Sequence, residues 1–251
     1  MSDDAFVYRI ADQLVVLPGV EAVTLGGSRA QGTARPDSDW DLGIYYRGRF
    51  DPQGLRDIGW EGEASEVGGW GGGVFNGGVW LRIEGRRVDI HYRELEVVEA
   101  QLARAQRGEF DIEPLMFHLA GIPTYLVVAE LAINKVLRGS LPEVAVYPEA
   151  LRHAARGTWC SRADMHLDYA ENNHAAQGRT VQALGLIAVA LTEYAHAIAA
   201  SKGQWVTNEK RILADLHEVD RLVEEGGDPA GLIQAVRALS AIQEIKAQQR
   251  P

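Results

Sequence analysis

Ser38-Asp39-Trp40-Asp41-Leu42-Gly43-Ile44 sets two carboxylates two positions apart at the head of an apolar run. Read as a β-strand, residues 40–46 alternate faces, so side chains at i and i+2 converge and Asp39 and Asp41 point the same way. Like charges held that close repel, and they are costly to desolvate unless a cation compensates them. Hard oxygen ligands of this kind suit Mg2+ or Mn2+, ions that keep several waters and share their remaining positions with substrate phosphates. An isolated Asp-x-Asp would be read as a solvated turn leading into the strand, so the surrounding sequence decides.

Upstream, Leu25-Gly26-Gly27-Ser28-Arg29-Ala30-Gln31-Gly32 closes a short β-type run over residues 20–25. An amphipathic helical pattern over residues 4–17 precedes it and stops at Pro18-Gly19. A strand entering a glycine turn and then a helix start presents backbone N–H groups to an anion, and glycine lets a phosphate approach the chain closely. No Gly-Lys-Ser/Thr follows, so this is not a Walker loop. Taken alone, the turn is also what any tight strand-to-helix connection looks like. Downstream, residues 79–83 and 86–92 form an expected hairpin around Glu84-Gly85. Its second strand carries Asp89 between Val88 and Ile90, an unexpected place for a carboxylate in a core. Paired beside the strand of Asp41, Asp89 would complete a three-carboxylate cluster able to hold two ions. As an edge-strand charge it would instead pair with Arg86 or Arg87. His91 is expected on the opposite face from Asp89 and outside any ligand set.

Together, Gly26-Gly27-Ser28, Asp39-Trp40-Asp41 and Asp89 resemble the signature of the DNA polymerase β-type nucleotidyltransferase superfamily. The helical remainder resembles, in layout, the C-terminal bundle of kanamycin- and streptomycin-type antibiotic nucleotidyltransferases. Trp205-Val206-Thr207-Asn208-Glu209-Lys210 is its one stretch reminiscent of a motif. The resemblance implies that Gly27 and Ser28 hold the β- and γ-phosphates and that Asp39 and Asp41 bind the metal attached to the triphosphate. Asp89 would bind a second metal or accept the acceptor's proton. It further implies ATP or another NTP as co-substrate, with AMP passing to a hydroxyl of a small molecule, an aminoglycoside-like antibiotic among the candidates, as pyrophosphate leaves.

The chain changes character near Phe110, from glycine-rich β-type runs to Ala/Leu-rich helical spacing. The expected fold class is therefore α+β: a small mixed-sheet catalytic domain over residues 1–110, then an α-helical bundle over residues 111–251 that binds the acceptor. Helices are expected near residues 123–137, 148–176, 180–200, 209–225 and 229–248. Arg29, just after the glycine turn, is a candidate phosphate ligand, and Lys210 a candidate to reach the triphosphate; an exposed role suits either. The glycine-dense stretch over residues 68–78, with Trp70 and Trp80, can close over a sugar or base by stacking, or fill a gap as a long hairpin loop. Asp164, Asp168 and Glu171 share a helix face, either an acidic wall for a cationic acceptor or an ordinary solvated stripe.

The bulk numbers narrow the partners. With 251 residues and 46% hydrophobic content the chain can build packed cores, and its net charge of −10 offers no broad basic surface for a nucleic-acid backbone. DNA is not expected as a partner, whereas a cationic small acceptor suits that charge. Cys160 is the single cysteine and the N-terminal Asp3-Asp4 lacks the basic region of an export signal, so a reducing cytoplasm is expected. The longest apolar run, residues 181–200, carries Gln182, Thr192, Glu193 and His196 and reads as a buried helix, not a membrane span. The seven histidines show no zinc spacing, and a homodimer is left open. Two competing readings keep less of this picture: a nucleotidyltransferase acting on a protein or tRNA, as in toxin–antitoxin pairs, and a nucleotide-binding module without catalysis.

Overall fold

The computed structural model describes residues 3–71, 73–214 and 217–248. Helix α1 (Asp3–Val15) turns Phe6, Val7, Ile10, Ala11 and Leu14 inward at helical spacing. Strand β1 (Val20–Leu25) leads into the single helical turn α2 (Gly27–Ala30), followed by β2 (Trp40–Tyr46), α3 (Gln53–Asp57) and the short β3 (Glu61–Ala64). Strands β4 (Gly78–Ile83) and β5 (Arg86–Glu94) form the expected hairpin, and Glu84 (φ 51°) and Gly85 (φ 76°) take the left-handed conformations that its two-residue turn requires. After α4 (Leu95–Gln106), a small hairpin of β6 (Ile112–Leu115) and β7 (His118–Pro123) precedes α5 (Leu126–Ile133) and β8 (Lys135–Gly139). The rest is helical: α6 (Glu149–Tyr169), α7 (Thr180–Ser201), α8 (His217–Glu224) and α9 (Pro229–Gln248). The fold is α+β, a mixed sheet with a C-terminal helical region.

Six strands make one sheet in the order β3-β4-β5-β2-β1-β8, antiparallel except for the parallel β2–β5 pair. Its two faces differ in kind. On one, Val23, Leu25, Trp40, Leu42, Ile44, Val79, Val88 and Ile90 pack with the inward stripe of α1 into a continuous apolar core. That burial fixes the register, because a slip of one residue would turn every one of these side chains to the other face. The other face carries the residues that sequence analysis singled out.

Two compact units emerge, the first comprising Met1–Arg104 with Thr124–Val146 and the second Ala105–Pro123 with the described chain from Tyr147 onward. Composition near Phe110 suggested a single cut; instead the chain returns to the first unit, because β8 pairs with β1 through Ala22↔Gly139 and Thr24↔Val136. The helix expected over residues 123–137 is correspondingly shorter. Only Leu126–Ile133 is helical, and the apolar run continues as an edge strand. In the second unit, Ala163 and Leu167 of α6 meet Ile187, Ala190 and Leu191 of α7, Val219 of α8 and Leu232, Ile233 and Val236 of α9 in a separate core. Helix α6 runs on through a π-turn, Ala170–His174, and a 3-10 turn, Ala175–Gln177, to Gly178 at φ 70°. The helix expected over residues 209–225 forms over His217–Glu224; residues 209–214 lie in turns or bends, and 215 and 216 lie outside the described residues. By length and composition α7 could cross a membrane, yet Ala183, Ile187, Ala190, Leu191, Glu193 and His196 along it are buried in the fold. Glu193 is fully buried and held by Arg162 at 2.8 Å and His166 at 2.7 Å.

Candidate active site

Pairing of β2 with β5 places Asp41 opposite Asp89, with Trp40↔Val88 before them and Leu42↔Ile90 after. Residues in register on neighbouring strands share a face, so both carboxylates rise from the side of the sheet away from the α1 core, about 4.8 Å apart at the backbone. Asp39, two residues before Asp41, and Arg87, two before Asp89, extend the same row, and the Arg87 Nε donates to the Asp39 carboxylate. Arg87 also donates from Nη2 to the Asp37 carbonyl at 3.1 Å.

The glycine turn is built against this row. Gly26 N–H donates to the Asp41 carbonyl at 2.7 Å, which ties the end of β1 to the start of β2. Gly27 sits at φ 59°, and a Cβ there would lie 1.9 Å from Asp41 Oδ2. No other residue allows the carboxylate so near the backbone. Arg29, expected at a phosphate, is engaged differently. Its Nε donates to the Asp39 carbonyl at 3.2 Å and its Nη2 to the Ser38 carbonyl at 2.7 Å, while the guanidinium lies 4.0 Å from the Trp40 ring centroid. Nη1 also lies 3.3 Å from Asp3 Oδ2. Arg29 therefore holds the approach to β2 in shape, a positioning role suited to a rigid planar fork.

Donor chemistry decides whether a divalent ion suits the row. Asp41 and Asp89 are hard oxygen ligands on one face beside a turn of backbone N–H groups, and Mg2+ commonly takes one or two carboxylates and fills its shell with water and phosphate. These two fit. The three-carboxylate cage expected from Asp39, Asp41 and Asp89 is not assembled: among the described residues no group of three or more His, Cys, Asp or Glu is gathered to hold a metal. The physical reason is the Arg87 guanidinium, which takes the Asp39 carboxylate instead.

Residues 7–71 match the family model of the nucleotidyltransferase domain. The match takes in the Gly27-Ser28 turn, Asp39 and Asp41, and stops short of Asp89, whose place in the row comes from strand register alone. No curated protein matched the chain. Solved structures that do match include a nucleotidyltransferase-like protein from Exiguobacterium sibiricum 255-15, at 12% sequence identity and a TM-score of 0.41, covering 98% of this chain and 75% of that one.

Beyond the carboxylates, the sheet shows a second group of side chains on the same face. Pairing of β4 with β5 sets Trp80 opposite Asp89 and Gly78 opposite His91. His91 therefore shares the face of Asp89, contrary to the sequence expectation; residues two apart on a strand cannot oppose one another, and the period of two was the signal available. Its Nδ1 is buried without a hydrogen-bond partner, its ring lies edge-on to Trp70 and Phe75, and burial, helped by the charge of Arg93, lowers its pKa to about 4. Further along, Arg93 forms a two-pronged ion pair with Glu130 at 2.6 and 2.7 Å. Burial raises the pKa of Glu130, but the charge and hydrogen bonds of Arg93 outweigh it, so the net shift is downward.

The second unit holds the remaining candidate residues. Asp168 and Glu171 both pair with Arg237 of α9, at 2.6 and 3.3 Å, and Asp164 accepts from the Tyr194 hydroxyl. The acidic stripe is thus partly paired within the helices, while Asp168 and Glu171 keep 65% and 43% of their side chains exposed. Lys210 is exposed in a turn where its N–H donates to Asn208 Oδ1 at 3.1 Å. Its neighbour Glu209, which sequence reasoning passed over, is the built-in residue: it accepts from the N–H groups of Leu119 and Ala120 and lies 3.2 Å from His196 Nε2.

Proposed function

We propose that the chain is a metal-dependent nucleotidyltransferase that moves a nucleoside monophosphate, AMP from ATP, to a hydroxyl of a small molecule, with an aminoglycoside-like compound as one acceptor class. The observation that carries this reading is the paired register of Asp41 and Asp89 with Gly27 packed against the Asp41 carboxylate. A bound Mg2+ or Mn2+ would supply positive charge to the phosphate oxygens, which is where charge develops in an in-line displacement. Asp41 and Asp89 would hold that ion, with Asp39 joining when Arg87 releases it. Gly27 and Ser28 would seat the terminal phosphates with backbone N–H groups.

In the reaction, the acceptor oxygen bonds to the α-phosphorus, the bond from that phosphorus to the oxygen bridging to the β-phosphate breaks, and pyrophosphate leaves with that oxygen. The hydroxyl proton passes to a carboxylate, and Asp89, on the far side of Asp41 from the glycine turn, is the one we assign. Retention of both carboxylates and the turn favours catalysis over a binding-only module. The deciding measurement is pyrophosphate release from ATP with Mg2+ or Mn2+ across a panel of aminoglycosides, lincosamides, nucleosides and free tRNA. Metal-dependent release that disappears in Asp41→Asn and Asp89→Asn is the expected result. ATP binding without release under any acceptor would leave only the binding module, and activity confined to tRNA would overturn the small-molecule assignment.

A further inference from the structure

The geometry points to Trp80, backed by Trp70, as an acceptor-binding platform for a saturated, hydroxyl-bearing ring such as an amino sugar; this inference rests on the nucleotidyl-transfer reading above. Trp80 is an exposed large hydrophobic side chain, 51% accessible, at the position opposite Asp89 on the face of the carboxylates. Trp70 stacks against it at 4.9 Å and 23°. The backbone leaves room for the stack: a Cβ on Gly78 would lie 2.6 Å from Trp70 Cη2. Gly78, where the glycine-dense sequence enters β4, therefore has a structural use. It lets Trp70 lie on the β4 backbone beside Trp80.

Strand order then says which substrate the platform meets. Across the sheet the row runs Trp80 on β4, Asp89 on β5, Asp41 on β2, and the Gly26–Gly27 turn after β1. Pyrophosphate seated at the turn leaves toward β1, so an in-line nucleophile must arrive from the β5–β4 side, about one strand spacing beyond Asp89. The acceptor is what occupies that side. Its chemistry follows from the edges of the platform. Exposed Glu63 on β3 stands opposite Trp80 on one flank and Asp89 on the other. A flat nucleobase would cover the indole but reach those flanks only with an exocyclic amine at one edge of its plane. A sugar ring lays its C–H face on the indole and offers O–H and N–H groups all round its rim, toward the carboxylates on both flanks.

Saturation-transfer NMR on the full chain tests this with methyl β-glucosaminide, methyl β-glucoside and adenosine as probes, beside calorimetric titration of α,β-methylene-ATP with Mg2+. We expect contact from the ring C–H protons of the glucosaminide, lost in Trp80→Ala and largely restored in Trp80→Phe, while the affinity for the nucleotide stays within about twofold because the indole contributes only to the ligand that lies on it. Glu63→Gln should weaken the glucosaminide and spare the neutral glucoside. No sugar contact in the parent chain, or contact unchanged in Trp80→Ala, overturns the platform. Loss of nucleotide or adenosine binding in Trp80→Ala with sugars unaffected would reassign it to the nucleobase. Failure of the parent to bind the nucleotide at all would refute the transferase reading instead, and the two failures are read on separate ligands.

Discussion

Arg87 donates to the Asp39 carboxylate across the start of the paired strands β2 and β5, so a protein cation stands where a metal would seek its third carboxylate. Both side chains are open to solvent, 60% and 39% exposed, which makes the pair weak and sensitive to salt. Arg87→Ala should therefore tighten Mn2+ binding by about three- to tenfold at low ionic strength, with the gain shrinking as salt screens it. Titration followed by electron paramagnetic resonance checks this. An affinity unchanged at low salt would show that Asp39 takes no part in holding the ion.

Gly27 and Gly32 separate conformational strain from loss of the site. Both take positive φ, 59° and 70°, but a Cβ at Gly27 collides with Asp41 Oδ2 whereas one at Gly32 meets nothing within 4 Å. Alanine at either position carries a left-handed penalty of roughly 1–2 kcal/mol. Only Gly27→Ala also displaces the carboxylate, so we expect its kcat to fall by at least about 100-fold and that of Gly32→Ala by less than about threefold. Equal activities with equal losses of Tm would mean that the contact with Asp41 has no catalytic weight.

Much of this architecture is legible in the sequence for a simple reason: alternation around Asp41 and Asp89 fixes strand and face at once. The α1 stripe, the Glu84-Gly85 hairpin and the long helices α6 and α7 likewise announce themselves by period and punctuation. What stays hidden depends on partners distant in the chain. Leu126–Ile133 and Lys135–Gly139 read as one apolar helix because nothing local reveals that β1 supplies an edge for the second half. The short strand Glu61–Ala64 has almost no apolar alternation and exists because Gly78–Ile83 pairs with it. Arg29 and Arg87 were visible as cations near the motif, but only the folded chain shows that one holds backbone carbonyls and the other a carboxylate.

Removing either paired carboxylate separates catalysis from folding. Asp41→Asn and Asp89→Asn each relieve like-charge repulsion between neighbours on one face, so Tm should hold or rise slightly at neutral pH. Turnover should drop by about 10³-fold or more, equivalent to ~4 kcal/mol of barrier. Thermal melts and pyrophosphate release, run on the same preparations, make the comparison. A variant that keeps activity within about tenfold would remove its residue from the proposed metal site.

The buried pair of Arg93 and Glu130 gives the acid limit of the first unit. The Arg93 side chain is 1% exposed and that of Glu130 15%, so each depends on the other for its charge. Because the folded pKa of Glu130 lies below its ordinary value of 4.5, the pair's contribution is fully present above that value and is lost as pH falls through the lower, folded pKa. The sign follows from proton count: in that window the unfolded chain binds the proton and the folded chain does not, so stability must rise with pH there. Glu130→Gln leaves the guanidinium buried without its counter-charge and should cost about 3–5 kcal/mol at neutral pH. Urea unfolding from pH about 7 down to about 3 should show the parent losing stability below pH about 4.5 more steeply than the variant, the two curves drawing together at the acid end. Parallel curves, or a variant as stable as the parent at pH about 7, would mean that the ion pair is replaceable by neutral hydrogen bonds and that acid sensitivity originates in other carboxylates.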